Sequence, residues 1–304
     1  MQRSVASNGK KLTKYYTLKG RKSKVSEGFG NNMTRKIEAP KLFHGATEGV
    51  RTALELFSSA VRHTVPSLLW GRTQEMTGSP IMVVQGFLMH DITTWNLRRH
   101  LDDQGHDAFD GDIGINLGVH SHTIEKLEDR LAQIMEKHLG KKVTVIGHSL
   151  GGIQSLLLSY RHADKIDRLI TMGSPFGAAR MQGGTNRIVY GAYEILNPDD
   201  SDLVEELSAH MEKGPPDVAV TSLFSAADGV VAPQSAVNPW AEEGHPRTEN
   251  VEVPGPHCGM IVNTQVWEVL AERLSVSPTN WRPFDWSEAE RSVDMVPDLI
   301  LEKA

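Results

Sequence analysis

One stretch near the middle of the chain limits the folds that it can adopt. Residues Lys142–Ile146 form an apolar run rich in β-branched side chains, which predicts a buried strand. Leu150–Arg161 follows with apolar residues at helical spacing, and Ile166–Met172 predicts a second strand. A strand, a helix and a strand in this order form a βαβ unit, so the two strands are expected to be parallel. A parallel sheet is buried on both faces, and the sequence therefore predicts an α/β fold.

The turn between the first strand and the helix carries a candidate nucleophile. Its sequence is Gly147-His-Ser-Leu-Gly151, a G-x-S-x-G pattern. A sharp strand-to-helix turn exposes the serine hydroxyl and directs the following backbone N–H at an acyl oxygen. Glycine and serine are common in loops, so the pattern alone is weak, and a glycine-rich turn with a buried serine is the alternative. The strand before it and the helix after it favour Ser149 as a nucleophile.

A serine nucleophile needs a histidine base and a carboxylate that orients the base. In parallel sheets such groups lie on loops after the carboxyl ends of strands. His257 follows a strand predicted at 250–253, and Asp228 follows one predicted at 218–225. The order Ser149, Asp228, His257 is the one expected for such an elbow. The weaker alternatives are His245 for the base and Asp199, Asp200, Asp202 and Asp217 for the acid.

The remaining candidate residues belong to the surroundings of the serine. Leu150 and Phe87 are the predicted N–H donors of an oxyanion hole, with Leu88 as the second choice in the loop after a strand predicted at 81–85. A helical insertion at about 176–216 is expected to act as a cap over the site. For most of its apolar residues, simple packing of the cap onto the core is the competing explanation. The candidate substrate-binding residues are Leu88, His148, Phe176 and Tyr190.

Charge and composition divide the chain unevenly. Residues 1–36 hold ten Lys and Arg against one acidic residue, a net charge of +9, so the other 268 residues carry −15. This basic segment is expected to be disordered, and three explanations stay open: an arm for an anionic surface, an organelle transit peptide, or an extension upstream of a true start at Met33. Residues 37–304 are expected to form one α/β domain that contains the cap.

Several function classes are disfavoured by the sequence. The single cysteine, Cys258, permits no internal disulfide. No apolar run is long enough to span a bilayer and no secretory signal is seen, so a cytoplasmic location is expected. The acidic body argues against nucleic-acid binding. No H-E-x-x-H or C-x-x-C motif is present, and a metal is not expected. The oligomeric state stays open.

Taken together, the motifs resemble the α/β-hydrolase superfamily on its esterase and lipase side, over residues 78–275. The resemblance implies a mostly parallel eight-stranded sheet flanked by helices, a variable helical cap and no cofactor. One departure is Gln85-Gly86, where many members have His-Gly. The motifs are Gly147-His-Ser-Leu-Gly-Gly152, Thr171-Met-Gly-Ser-Pro175, Asp228-Gly-Val-Val231 and Glu249-Asn-Val-Glu-Val253 before His257.

The expected function is hydrolysis of a small-molecule carboxylic ester through an acyl-enzyme, with short- to medium-chain acyl groups and lipids as the substrate classes. One alternative is acyl transfer or other acyl-enzyme chemistry by the same three residues. A second is a non-catalytic binding protein on the same scaffold, which predicts a missing triad member. None is missing in this sequence.

Overall fold

The computed structural model of the chain describes residues 15–18, 21–24, 78–177, 183–197 and 201–286. The first two ranges form an antiparallel hairpin of β1 (Tyr15–Leu18) and β2 (Arg21–Lys24) inside the predicted basic extension. The rest of that extension lies outside the described residues.

A six-stranded parallel sheet forms the centre of the described structure. Its order is β4-β3-β5-β6-β7-β8, and every neighbouring pair is parallel. The predicted α/β architecture is confirmed. The predicted count of eight strands is not, because β1 and β2 pair only with each other and the described sheet contains six. These are β3 (Pro80–Val84), β4 (Asp107–Asp110), β5 (Val143–His148), β6 (Ile166–Met172), β7 (Ala219–Phe224) and β8 (Thr248–Glu252).

Helices cover both faces of the sheet, as the fully buried strands β3 and β5 require. No helix in the described ranges is long and apolar enough to cross a membrane. The helices are α1 (Trp95–Asp103), α2 (Ser121–Lys137), α3 (Leu150–Arg161), α4 (Arg187–Leu196), α5 (Ser201–Met211), α6 (Pro233–Ala236), α7 (Pro239–Glu242) and α8 (Thr264–Ser275). Short 3-10 turns lie at Asp91–Thr94, Cys258–Val262 and Pro278–Asn280.

Two apolar clusters, one on each face, hold these layers together. On one face Leu127 and Leu131 of α2 pack with Leu157 of α3, and on the other Leu101 of α1 packs with Trp267 of α8. Helix α3 is buried from Leu150 to Ser159, almost its whole length. The helix that follows the serine is therefore fixed in the centre of the molecule.

The predicted insertion leaves the sheet after β6 and contains α4 and α5, and none of its described residues adds a strand to the sheet. Two contacts with the end of α3 hold its second half. The Tyr160 hydroxyl donates to the carbonyl of Gly214 at 2.6 Å, and Arg161 makes a bidentate pair with Glu206 at 2.8 and 2.6 Å.

Candidate active site

The backbone at Ser149 forms the sharp turn that the sequence predicts. Ser149 lies between the end of β5 and the start of α3. Its backbone has φ 54° and ψ −121°, a conformation that residues other than glycine rarely adopt. The turn requires glycine at the neighbouring positions, because the packing around it leaves no room for a side chain there. A Cβ on Gly151 would overlap the carbonyl oxygen of Val84, and one on Gly152 would overlap the hydroxyl of Ser174. The turn leaves Ser149 half-buried at the edge of a pocket.

The predicted acid and base lie together at the carboxyl ends of β7 and β8. His257 Nδ1 is 2.7 Å from Asp228 Oδ2, and both side chains are buried. The other carboxylate oxygen accepts the backbone N–H groups of Val230 at 2.8 Å and Val231 at 2.7 Å. Three donors therefore fix the carboxylate, and a proton on Nδ1 of His257 makes Nε2 the unprotonated nitrogen, the one that can act as a base.

Gly173, which directly follows β6, makes room for this pair. It has φ 60°, and a Cβ at this position would lie 3.0 Å from His257 Nδ1 and 3.2 Å from Asp228 Oδ2. In the sequence, Gly173 is only the central residue of the Thr171-Met-Gly-Ser-Pro175 motif and is not a predicted site residue. The available signal was a glycine at the end of a predicted strand, where a turn often requires one.

His148, the last residue of β5, supports the base. Its Nε2 donates to the carbonyl of His257 at 2.9 Å, and the centroids of the two rings are 4.9 Å apart. Burial, with a smaller effect of the neighbouring His257, lowers the pKa of His148 to about 3, so its imidazole is neutral at ordinary pH. Its Nδ1 has no hydrogen-bond partner among the described residues. His148 therefore holds the loop that carries His257 without adding charge beside it.

The two residues predicted to donate N–H groups to an oxyanion both lie beside Ser149. Leu150 begins α3, and Phe87 lies in the loop after β3; both line the same pocket as Ser149. Neither N–H has a hydrogen-bond partner among the described residues, whereas the N–H of Leu88 already donates to the carbonyl of Asn116 at 2.8 Å. The geometry thus favours Phe87 over Leu88 as the second donor.

The pocket beside Ser149 has a mainly apolar lining, and its empty space of about 350 Å³ includes part of the open solvent at its mouth. Of the four predicted substrate-binding residues, Tyr190 lines it. Leu88 is instead exposed to solvent, Phe176 is buried with its ring 5.9 Å from that of Trp240, and His148 lies buried behind the serine. The full lining consists of Phe87, Ser149, Leu150, Ile153, Pro175, Thr185, Val189, Tyr190, Tyr193, Val230 and Val231.

The alternative acids and bases lie elsewhere wherever the structure describes them. His245 is 3.5 Å from Glu243, and Asp217 forms an ion pair with Arg247 at 2.7 Å. Asp202 is in the first turn of α5, outside the pocket lining, and residues 199 and 200 are outside the described ranges. In the same ranges, no three His, Cys, Asp or Glu side chains cluster closely enough to hold a metal ion.

Comparison with known proteins adds a family and several fold relatives. A family model described as the alpha/beta hydrolase fold matches residues 80–251. The chain is similar to Aspergillus fumigatus lipase B, with 16% identity and a TM-score of 0.53 over 71% of this chain and 56% of that one. It is also similar to a soluble variant of monoglyceride lipase from Saccharomyces cerevisiae, with 14% identity and a TM-score of 0.52 over 67% of this chain and 88% of that one.

None of the curated protein sequences compared with the chain matches it. At these low identities, the two solved structures support only the fold. The family model covers more than half of the chain, and its range includes Ser149, the predicted acid Asp228 and the sheet from β3 to the fourth residue of β8. The chain therefore belongs to the α/β-hydrolase fold family.

Proposed function

We propose that the protein is a serine hydrolase that cleaves carboxylic esters with short- to medium-chain acyl groups. The observation that carries the proposal is the 2.7 Å contact between His257 and Asp228, buried beside an elbow that holds Ser149 at positive φ. A non-catalytic binding protein would not need a strained serine together with a paired histidine and carboxylate.

In the proposed reaction Ser149 Oγ attacks the ester carbonyl, and its proton passes to His257 Nε2. The N–H groups of Phe87 and Leu150 stabilise the oxyanion that forms. The C–O bond then breaks, the leaving alcohol takes the proton from His257, and an acyl-enzyme is left. Water, deprotonated by His257, attacks this intermediate. The bond between Ser149 Oγ and the acyl carbon then breaks, Oγ takes the proton back from His257, and the carboxylic acid is released. Asp228 holds the imidazole in the required tautomer throughout.

The pocket supports an apolar acyl group as the part of the substrate next to Ser149. Tyr193 and Val189 of α4 form one wall, and Val230 and Val231 of the loop after β7 lie on the lining as well. No charged side chain lines the pocket in the described residues, so a charged acid would lose hydration there without a partner. Methylene groups in such a pocket each contribute about 0.8 kcal/mol when they are fully buried.

The test is hydrolysis of p-nitrophenyl esters from C2 to C16 by the wild type and by Ser149→Ala. We expect turnover by the wild type on the shorter chains and a loss of about 10⁴-fold or more in the variant, because the nucleophile is absent. Ser155→Ala is the matched control: Ser155 is in the same helix, but its hydroxyl donates to the carbonyl of Gly151 at 2.6 Å, away from the pocket.

Added alcohols and amines in the same assay distinguish hydrolysis from acyl transfer. If the acyl group passes mainly to the added acceptor, transfer is the function and hydrolysis is a side reaction. Near-wild-type activity of Ser149→Ala, or a wild type that turns over no ester and is not labelled by a fluorophosphonate, would contradict the proposal.

A further inference from the structure

Three fully buried polar side chains lie directly beneath the loop that carries Phe87. Gln85 directly follows β3, Asn116 is in the loop after β4, and Gln154 is in the second turn of α3. All three have no exposed surface, although burying an amide is costly unless its hydrogen bonds are made. Three separate elements are thus joined by polar contacts in the interior.

Asn116 is the centre of this group. Its Nδ2 donates to the carbonyl of Gln85 at 2.7 Å and to Oε1 of Gln154 at 2.8 Å. Its Oδ1 accepts from Nε2 of Gln154 at 3.0 Å, so the two amides form a reciprocal pair. Gln154 Nε2 donates in addition to the carbonyl of Gly118 at 2.8 Å. Both N–H groups of each amide are therefore used.

The backbone of Asn116 binds the same loop from the other side. Its carbonyl accepts the N–H of Leu88 at 2.8 Å, and its own N–H donates to the carbonyl of Met89 at 2.9 Å. The contacts of Asn116 therefore enclose Phe87: its side chain holds the carbonyl two residues before Phe87, and its backbone holds the residue after it. The plane of the peptide that carries the Phe87 N–H lies between these two fixed points.

The other predicted donor, Leu150, is connected to the same three buried amides through α3. Leu150 is the first residue of α3, and Gln154 lies four residues later, on the same side of that helix. The reciprocal amide pair thus joins the loop of one oxyanion donor to the helix of the other. A shift of this loop relative to α3 requires at least one of these buried hydrogen bonds to break.

We infer that Asn116, through Gln154, is a positioning residue that sets the separation of the Phe87 and Leu150 N–H groups for the transition state. The inference rests on the proposed function, since it concerns the same oxyanion hole. Neither side chain lines the pocket, so neither is expected to contact the substrate. Loss of their contacts should weaken the binding of an oxyanion and leave the binding of the neutral ester nearly unchanged.

The main variant is Asn116→Asp, which keeps the size of the side chain and replaces Nδ2 by an oxygen. That oxygen would face two acceptors, the Gln85 carbonyl and Gln154 Oε1. We expect kcat on a p-nitrophenyl ester to fall by about 10- to 100-fold with KM changed by less than about threefold, somewhat less than the loss of a whole oxyanion donor. Inhibition by an alkyl trifluoromethyl ketone, which forms an oxyanion on the serine, should weaken in parallel with kcat/KM.

A second variant, Gln154→Met, keeps the shape of the α3 side chain while Asn116 still holds the Gln85 carbonyl. Its expected loss of kcat is smaller and also occurs at nearly constant KM. The matched control is Asn250→Asp in β8, because the amide of Asn250 likewise joins two backbone groups, the N–H and carbonyl of Asn238, at 2.7 and 3.0 Å. That control should lower the Tm and leave kcat and inhibitor affinity unchanged.

The inference is overturned if Asn116→Asp is folded and labelled by a fluorophosphonate, yet keeps kcat within about twofold of the wild type. It is equally overturned if Asn250→Asp loses as much kcat for the same fall in Tm. If Asn116→Asp does not fold, the same measurements on Gln154→Met decide. An active wild type with an inactive Ser149→Ala keeps the proposed function in all these cases, whereas an inactive wild type removes both.

Discussion

His148 shows how one residue beside the nucleophile serves both the site and the fold. It is a buried neutral imidazole whose one donated hydrogen bond holds the carbonyl of His257. A second positive charge at this place would oppose protonation of His257 during catalysis, because like charges in a buried site repel strongly. The low pKa of His148 keeps that charge away, and the same shift makes the stability of the fold sensitive to acid.

We expect His148→Gln to reduce the dependence of unfolding on pH. The pKa of His148 is about 3 in the folded protein against 6.5 as its ordinary value. Below pH 6.5 the unfolded chain therefore binds a proton that the folded protein does not bind. The stability from this group is fully present above that value and is lost as the pH falls towards 3, by up to about 1.4 kcal/mol per pH unit.

Glutamine keeps a donor near the position of Nε2 but does not titrate. The measurement is urea unfolding of both proteins at intervals between pH 7 and 4, with the exposed His122→Gln as the control. The His148 variant should be less stable at pH 7 and should show a slope smaller by about one proton. A slope equal to that of the wild type would contradict the assignment.

At the scale of single residues, the sequence predicts candidates only where a local pattern marks them. Ser149 lies in a motif between a strand and a helix, and Asp228 and His257 directly follow predicted strands. Asn116 has no such mark and Gly173 only that of a glycine at the end of a predicted strand, because their roles depend on contacts with elements distant in sequence. Asn116 bonds to residues 31 and 38 positions away, and Gly173 faces a dyad formed by two later loops.

Among the helices and strands, the predicted bounds agree with the structure where the local sequence strongly favours one type of secondary structure. Helix α3 and strand β6 have the predicted bounds, since both are long, apolar and bounded by clear turns. The count of eight strands came from the resemblance alone, and the described sheet has six. The path of the insertion could not be predicted either. It is set by hydrogen bonds such as that from the Ala232 N–H to the Gly184 carbonyl, at 2.7 Å.

Helix α4 of the insertion determines the depth of the proposed acyl pocket. Tyr193 is buried, and its ring packs edge-on against Phe87 with the centroids 5.5 Å apart. We expect Tyr193→Ala to extend the pocket and to shift the preference towards longer acyl chains. Each further methylene that the pocket accepts should raise kcat/KM by about fourfold relative to wild type, the equivalent of about 0.8 kcal/mol.

The measurement is kcat/KM across the C2 to C16 esters, with the rate of fluorophosphonate labelling as a check on Ser149. Ile195→Ala is the control, because Ile195 is in the same helix but is 74% exposed. An unchanged chain-length profile for Tyr193→Ala would exclude α4 as a wall of the acyl pocket.

In the whole molecule, one end of the sheet carries the candidate active site, and the other end carries a buried charged group that stabilises the fold. Ser149, Asp228 and His257 follow the carboxyl ends of β5, β7 and β8, whereas a buried charged group lies near the starts of β6 and β8. There Glu249 accepts from Arg273 at 3.0 Å and from the N–H of Phe284 at 2.6 Å. This group fastens α8 and the segment after it to the sheet.

Because this group is remote from the pocket, Arg273→Leu should separate stability from activity. Arg273 is 2% exposed, and its loss leaves the Glu249 carboxylate buried without its cation, at an expected cost of about 3–5 kcal/mol in the free energy of unfolding. Arg282 forms an ion pair with Glu272, and its own side chain is 43% exposed. Arg282→Leu breaks this pair and should lower the free energy of unfolding by less than about 1 kcal/mol. Urea unfolding measures both, and ester hydrolysis well below the Tm should give the wild-type kcat/KM. Equal losses in the two variants, or a fall in kcat for folded Arg273→Leu, would mean that the buried ion pair and the site are not independent parts of the fold.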